Sequence, residues 1–225
     1  GCDLRLELKV AIKEYFPTNW VSRHSQNSLS VSNYSGAAGS YEKGKSRFLY
    51  EARTMAKMDK QPEIVSVRDF FEANNTAYIV MEYVDGTTFK ELVDQRGGRI
   101  PAGELLHMIE PLFSALSAVH EAGLIHRDIS PDNLMLERGS VRLLDFGCAR
   151  ESTQGDETMT ITLKHGYAPI EQYQHKGQGP WTDVYGLSAT IYYCITGKTP
   201  PQALDRLMDD EMILPRRLGV DLTER

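Results

Sequence analysis

The chain has 225 residues, 41% of them hydrophobic and 25% charged, a globular composition with room for one large domain or two small lobes. Its 31 acidic against 25 basic side chains leave a net charge of −6, which argues against a broad basic footprint for nucleic acid while allowing a local basic pocket. Cys2, Cys148 and Cys194 are scattered and lack C-x-x-C spacing, which excludes a disulfide framework or a zinc site and suits a reducing compartment.

The chain opens directly into a patterned segment, so no signal peptide is expected, and no apolar run approaches a membrane span. "LELKVAIKEYF" alternates and is rich in β-branched and aromatic residues, which predicts a strand. Residues 18–40 are rich in Ser, Asn and Gly and read as a long loop with little to offer a core. "YEKGKSRFLYEARTMAKMD" has apolar residues at helical spacing. "EIVSVRDFFEANNTAYIVMEYV" reads as two strands about an Asn-Asn turn.

From Thr87 the pattern turns helical. "TTFKELVDQRG" predicts a short helix stopped by Gly97-Gly98. A long helix runs from Pro101 to Gly123, with Pro111 inside it marking a kink or a split. A loop, "HRDISPDN", leads to a strand pair in "NLMLERGSVRLLDF". A polar loop to about Tyr173 and an apolar helix, "DVYGLSATIYYCITG", follow. The order is a β-rich lobe and then an α-rich lobe, joined at residues 81–87.

Taken singly, Lys13 on a strand, Asp128 in a loop and Asp145 at a strand end carry no message. Together they belong to V-A-I-K at 10–13, H-R-D-x-x-x-x-N at 126–133 and D-F-G at 145–147, in that order and in matching local contexts. The chain thereby resembles the eukaryotic-like (Hanks-type) serine/threonine protein kinases, most closely their bacterial branch. The resemblance implies an α+β, bilobal protein-kinase-like fold, truncated at both ends. Its small β-rich N-lobe would occupy 1–84, with residues 18–40 as an insertion, and its mostly helical C-lobe 85–225. The glycine-rich loop expected before Cys2 and the closing helices of the large lobe would fall outside the sequence. It implies transfer of the γ-phosphoryl of ATP to protein Ser/Thr hydroxyls. The alternatives are a pseudokinase-type nucleotide-binding scaffold and a small-molecule kinase of related fold.

The site residues follow from the same resemblance. Asp128 would take the substrate's hydroxyl proton, and Asn133 and Asp145 would hold Mg²⁺ or Mn²⁺, hard cations that favour oxygen ligands. Lys13 would sit over the α/β-phosphates, aimed by Glu51. Glu42 is the alternative, although its place near the helix start is one a carboxylate favours anyway. Ala11 and Met135 would sandwich adenine, Met81 would be the gatekeeper, and the backbone of Glu82 and Val84 would bond the adenine edge. Met55, Val67, His126 and Phe146 would form an internal column; ordinary core packing explains these four, Ala11 and Met135 equally well. Asp183 would hold the His-Arg-Asp backbone, or simply cap its helix.

Ser130 stands where such kinases carry lysine. Matching "YAPIEQY" to the A-P-E signature puts Lys164 where they carry threonine, so the expectation is an exchange: Lys164 supplies the charge and reaches Asp128. Glu171 would fill the glutamate of that signature, whose arginine partner would lie outside the sequence. Arg127 and Arg150 would grip a phosphate on Thr160, with Thr158 and Thr162 as alternatives, after autophosphorylation in a transient pair of chains. Cys148 is either a redox-sensitive thiol or a small buried residue. Protein substrates, no nucleic acid and a cytoplasmic setting complete the expectation.

Overall fold

The computed structural model describes residues 1–23, 25, 28–144, 150–151, 163–174 and 176–222. Asp145, Phe146, Gly147, Cys148, Thr158, Thr160 and Thr162 lie outside them, as does the side chain of Arg150. Two compact units result: Gly1–Gln61 with Val65–Tyr83, and Pro62–Ile64 with Val84–Arg225.

The first unit contains β1 (Cys2–Asp3), β2 (Leu8–Glu14), β3 (Val21–Ser22), β4 (Ser32–Asn33), α1 (Ala38–Met55), β5 (Val67–Ala73) and β6 (Thr76–Glu82). Its antiparallel sheet has the order β1-β2-β6-β5. The β5–β6 hairpin turns at Asn74 and Asn75, with φ of 54° and 59°. Asparagine tolerates that left-handed backbone, and a turn of this hand suits the twist of paired strands. Phe48, Leu49 and Ala52 of α1 pack with Tyr15, Tyr41, Ala77 and Ile79. Tyr15 crosses α1 at Gly44, where an added Cβ would lie 1.9 Å from its hydroxyl.

One expectation fails here. Residues 18–40 do not stay outside the core. β3 and β4 pair as a short ribbon, and Val21 and Val31 are each 1% exposed within the α1–sheet core. Ser-rich composition hid two apolar anchors ten positions apart, and burying each stabilises the ribbon by roughly 1.5–3 kcal/mol. The helix also starts at Ala38, inside that stretch, and gives way to a 3₁₀ turn over Ala56–Met58.

The second unit contains β7 (Thr87–Thr88), α2 (Phe89–Gln95), α3 (Ala102–Glu121), β8 (Leu124–Ile125), β9 (Leu134–Glu137), β10 (Ser140–Leu143), β11 (Arg150–Glu151), α4 (Ile170–Tyr173), α5 (Pro180–Thr196) and α6 (Ala203–Met208). Thr88 and Glu91 close a capping box that starts α2. α3 buries Leu105, Ile109, Leu112, Leu116 and Val119 along one stripe. It runs unbroken through Pro111, so the expected split is absent. β9 and β10 form a hairpin about Arg138 and Gly139, both left-handed, and β7 adds to its other edge. Within the expected polar loop, β11 pairs with β8 and α4 supplies one helical turn. No described helix is long and apolar enough to cross a membrane.

Candidate active site

The "HRDISPDN" loop leaves β8 and enters β9, and the second unit holds it from behind. Asp183, in the first turn of α5, is 1% exposed. Its Oδ2 accepts the backbone N–H of His126 at 2.8 Å and the ring Nε2–H of His120 at 2.8 Å. Its Oδ1 accepts the backbone N–H of Arg127 at 2.8 Å. This is the backbone-holding role the resemblance implied. The helix cap is Gly179, so the capping alternative for Asp183 drops out.

Those bonds force an unusual backbone. Arg127 has φ of 68°, a left-handed conformation that costs an arginine about 1 kcal/mol or more. It persists because both sides of the residue are pinned: Asp183 takes its N–H, and Gln172 Nε2 donates to its carbonyl at 2.9 Å. His126 is fully buried, and its Nδ1 accepts the Asp128 backbone N–H at 3.2 Å. That leaves Nε2 as the protonated nitrogen, donating to the Leu144 carbonyl at 2.9 Å. Leu144 precedes Asp145, so the imidazole ties the catalytic loop to the D-F-G entrance.

Asn133 closes the loop. Its Nδ2 donates to the Asp128 carbonyl at 2.8 Å and to Asp128 Oδ2 at 2.7 Å. The amide nitrogen is committed to Asp128, so the oxygen Oδ1 is what Asn133 can offer a hard cation.

The Lys164 ammonium donates to Ser130 Oγ at 2.9 Å. It also pairs with Asp132 Oδ2. Ser130 is fully buried. Lys164 is placed by a turn in which its carbonyl accepts from the N–H groups of Tyr167 and Ala168, each at 3.0 Å. The neighbouring Gly166 has φ of +84°, and a Cβ there would lie 2.7 Å from the Pro200 carbonyl oxygen. Burial raises the Asp132 carboxyl, but hydrogen bonding and charge from Lys164, then charge from Lys90, outweigh it and hold it below its ordinary value of 3.8. Glu171 Oε1 accepts from Thr182 Oγ1 at 2.9 Å.

The first unit carries the other named residues. Lys13 stands opposite Ile79, and Ala11 opposite Met81, on β2 and β6. Met81 also faces Val67 on β5. Ala11, Lys13 and Tyr15 fall on one face by the period of two, and Tyr15 stacks on Tyr41 and Phe48 of α1. Glu51 follows Phe48 by three residues on that helix. Burial, then Tyr41, then Glu42 and Glu51 against the opposing Arg47, push the Tyr15 hydroxyl up to about 12. Glu42 instead pairs outward with Lys45 at 2.9 Å, and Lys45 bridges on to Glu72 at 3.0 Å. Glu82 accepts from Ser66 Oγ at 3.2 Å. In the second unit Val84 is buried, and Met135 pairs with Arg142 on β10 and Thr88 on β7.

Four residues of the site escaped the sequence reading: Asp132, Lys90, His120 and Gln172. Asp132 carried a signal, since it lies inside the "HRDISPDN" loop two residues past Ser130. The other three act across long separations, and their composition carried none.

The protein kinase domain family matches residues 28–218. The serine/threonine-protein kinase PknL of Mycobacterium tuberculosis (strain ATCC 25618 / H37Rv) is 32% identical over 203 residues, which cover 89% of this chain and 46% of that one. The serine/threonine-protein kinase PrkC of Bacillus subtilis (strain 168) is 34% identical over 157 residues, or 68% of this chain and 24% of the other. This chain therefore spans less than half the length of these relatives. The solved structure described as "PpkA-294 apo form" superposes with a TM-score of 0.77 at 36% identity, covering 97% of this chain and 80% of its own.

Proposed function

Because the chain belongs to the protein kinase domain family, we propose that it transfers the γ-phosphoryl group of ATP to serine and threonine hydroxyls of proteins. The family works with ATP and a divalent metal, and Mg²⁺ suits the oxygen donors here. Asn133 Oδ1 and the carboxylate of Asp145 would hold it. Bound there, the cation neutralises charge on the phosphate oxygens. Asp128, oriented by Asn133, accepts the proton of the incoming hydroxyl. Lys13, aimed by Glu51, holds the α/β-phosphates. Ala11 and Met135 flank the adenine, whose edge meets the backbone of Glu82 and Val84 beside Met81. We assign residues 1–84 to the small lobe and 85–225 to the large one.

The observation that carries this reading is the contact of Lys164 with Ser130. A serine where the family has lysine would by itself suggest a scaffold without catalysis. A lysine arriving from another segment at that same serine restores the positive charge that the transferring phosphoryl needs. Phosphoryl transfer depends on placed charge rather than on covalent chemistry, so the origin of the charge is immaterial. Arg127 and Arg150 receive a phosphate on Thr160 after autophosphorylation between two chains, in a cytoplasmic setting.

The test uses the full-length protein with radiolabelled ATP, a generic protein substrate and small alcohols. Label on protein is the expected result, abolished by Asp128→Asn and lowered about a hundredfold in kcat by Lys164→Met. Nucleotide binding without transfer would mark a scaffold, and label on the alcohols a small-molecule kinase.

A further inference from the structure

We propose that Asp132 is a positioning residue that clamps Lys164 onto Ser130; this rests on the reading of Lys164 given above. The two oxygens of the Asp132 carboxylate are divided between lysines from different elements. Oδ2 meets Lys164 from the segment before α4, and Oδ1 lies 3.4 Å from Lys90 Nζ at the start of α2. The backbone joins the same pieces, since the Lys90 N–H donates to the Pro131 carbonyl at 3.1 Å. The catalytic loop, α2 and the end of the activation segment thus meet at one carboxylate.

The physical need for such a clamp is clear. A lysine ammonium rides on a flexible four-carbon stem and loses rotamer entropy when fixed. One hydrogen bond to a hydroxyl does little more than offset that loss. The lysine that usually occupies the Ser130 position is anchored by its own backbone in the catalytic loop. Lys164 comes from a segment 34 residues away, where its own turn fixes its backbone carbonyl but not the end of its side chain. The charge of Asp132 makes up the difference, and its second oxygen, engaged by Lys90, keeps the carboxylate turned the right way.

Two measurements on the full-length protein test this. The first is acylation of Lys164 by N-hydroxysuccinimide acetate, read by peptide mass spectrometry. Asp132→Asn should raise its labelling rate severalfold, whereas an unchanged rate means there is no clamp. This readout does not depend on catalysis. The second is a double-mutant cycle in phosphotransfer. Asp132→Asn should lower kcat about tenfold with little change in KM for ATP, the penalty of a misplaced catalytic group. The same substitution should cost nothing further when Lys164 is already Met. An equal tenfold loss in both backgrounds means that Asp132 acts elsewhere, and the proposal fails. If labelling rises while Lys164→Met leaves kcat intact, the clamp is real but serves no catalysis. In that case the reading of Lys164 falls, and the positioning role falls with it.

Discussion

The catalytic loop and the lysine that reaches it are held in opposite ways. His126 and Arg127 are fixed by hydrogen bonds to Asp183, Gln172 and Leu144, most of them buried. Lys164 is held by one hydrogen bond to Ser130 and one ion pair, with Asp132, whose two side chains are 33% and 40% exposed. Buried, fully satisfied polar networks are costly to break and insensitive to salt. Half-exposed ion pairs contribute little and are screened. The bonds behind His126 and Arg127 are therefore the harder to break, and those that hold Lys164 the more open to salt.

The strongest way to break the comparison is Asp183→Ala. It strands the N–H groups of His126 and Arg127 and the ring of His120 inside the protein, at about 1–3 kcal/mol for each unpaired group. Denaturant unfolding should show a loss of about 3 kcal/mol or more. A loss under about 1 kcal/mol would mean that water reaches the loop. Gly166→Ala tests the backbone beneath Lys164. Its φ of +84° and the Pro200 carbonyl 2.7 Å from a new Cβ leave no room for a methyl group without movement. The expected cost is about 2 kcal/mol in thermal unfolding, with a fall in kcat as Lys164 shifts.

The smallest effect sharpens the other side. Replacing Asp132 with Asn should change stability by under about 1 kcal/mol at pH 7, and less in high salt. The sign with pH follows from the depressed carboxyl. Its contribution is complete above the ordinary value of 3.8 and is lost as pH falls through the lower folded-state value. Stability curves of the parent and Asp132→Asn should therefore run parallel from neutral pH and converge only in that acid range. A gap that widened as the pH fell would contradict the ion pair.

Much of the fold was legible because its signals are local. The Asn-Asn turn, the proline that opens α3 and the glycine stops after α2 and α3 each rest on a few neighbouring residues. The insertion was misread because Val21 and Val31 are isolated in polar sequence, and only the facing α1 shows that they are buried. At the site, the exchange of Ser130 and Lys164 was read from their positions in the signature segments with Asp128 as the expected partner, whereas the structure puts the Lys164 ammonium on Ser130 and Asp132. Asp132 went unnoticed because its partners come from α2 and from the segment before α4. Asp145 and Thr160 lie outside the described residues, so their roles rest on the sequence alone.

What the sequence by itself determined is the order of its motifs and the chemistry that their side-chain types allow: proton transfer, cation binding and placed positive charge. Spacing along a chain is enough for that, since motifs are local patterns. Only the tertiary structure decided how the loop is braced and which carboxylate steadies the displaced lysine. Those bonds join residues 18 to 63 positions apart, separations over which composition carries no information about contact.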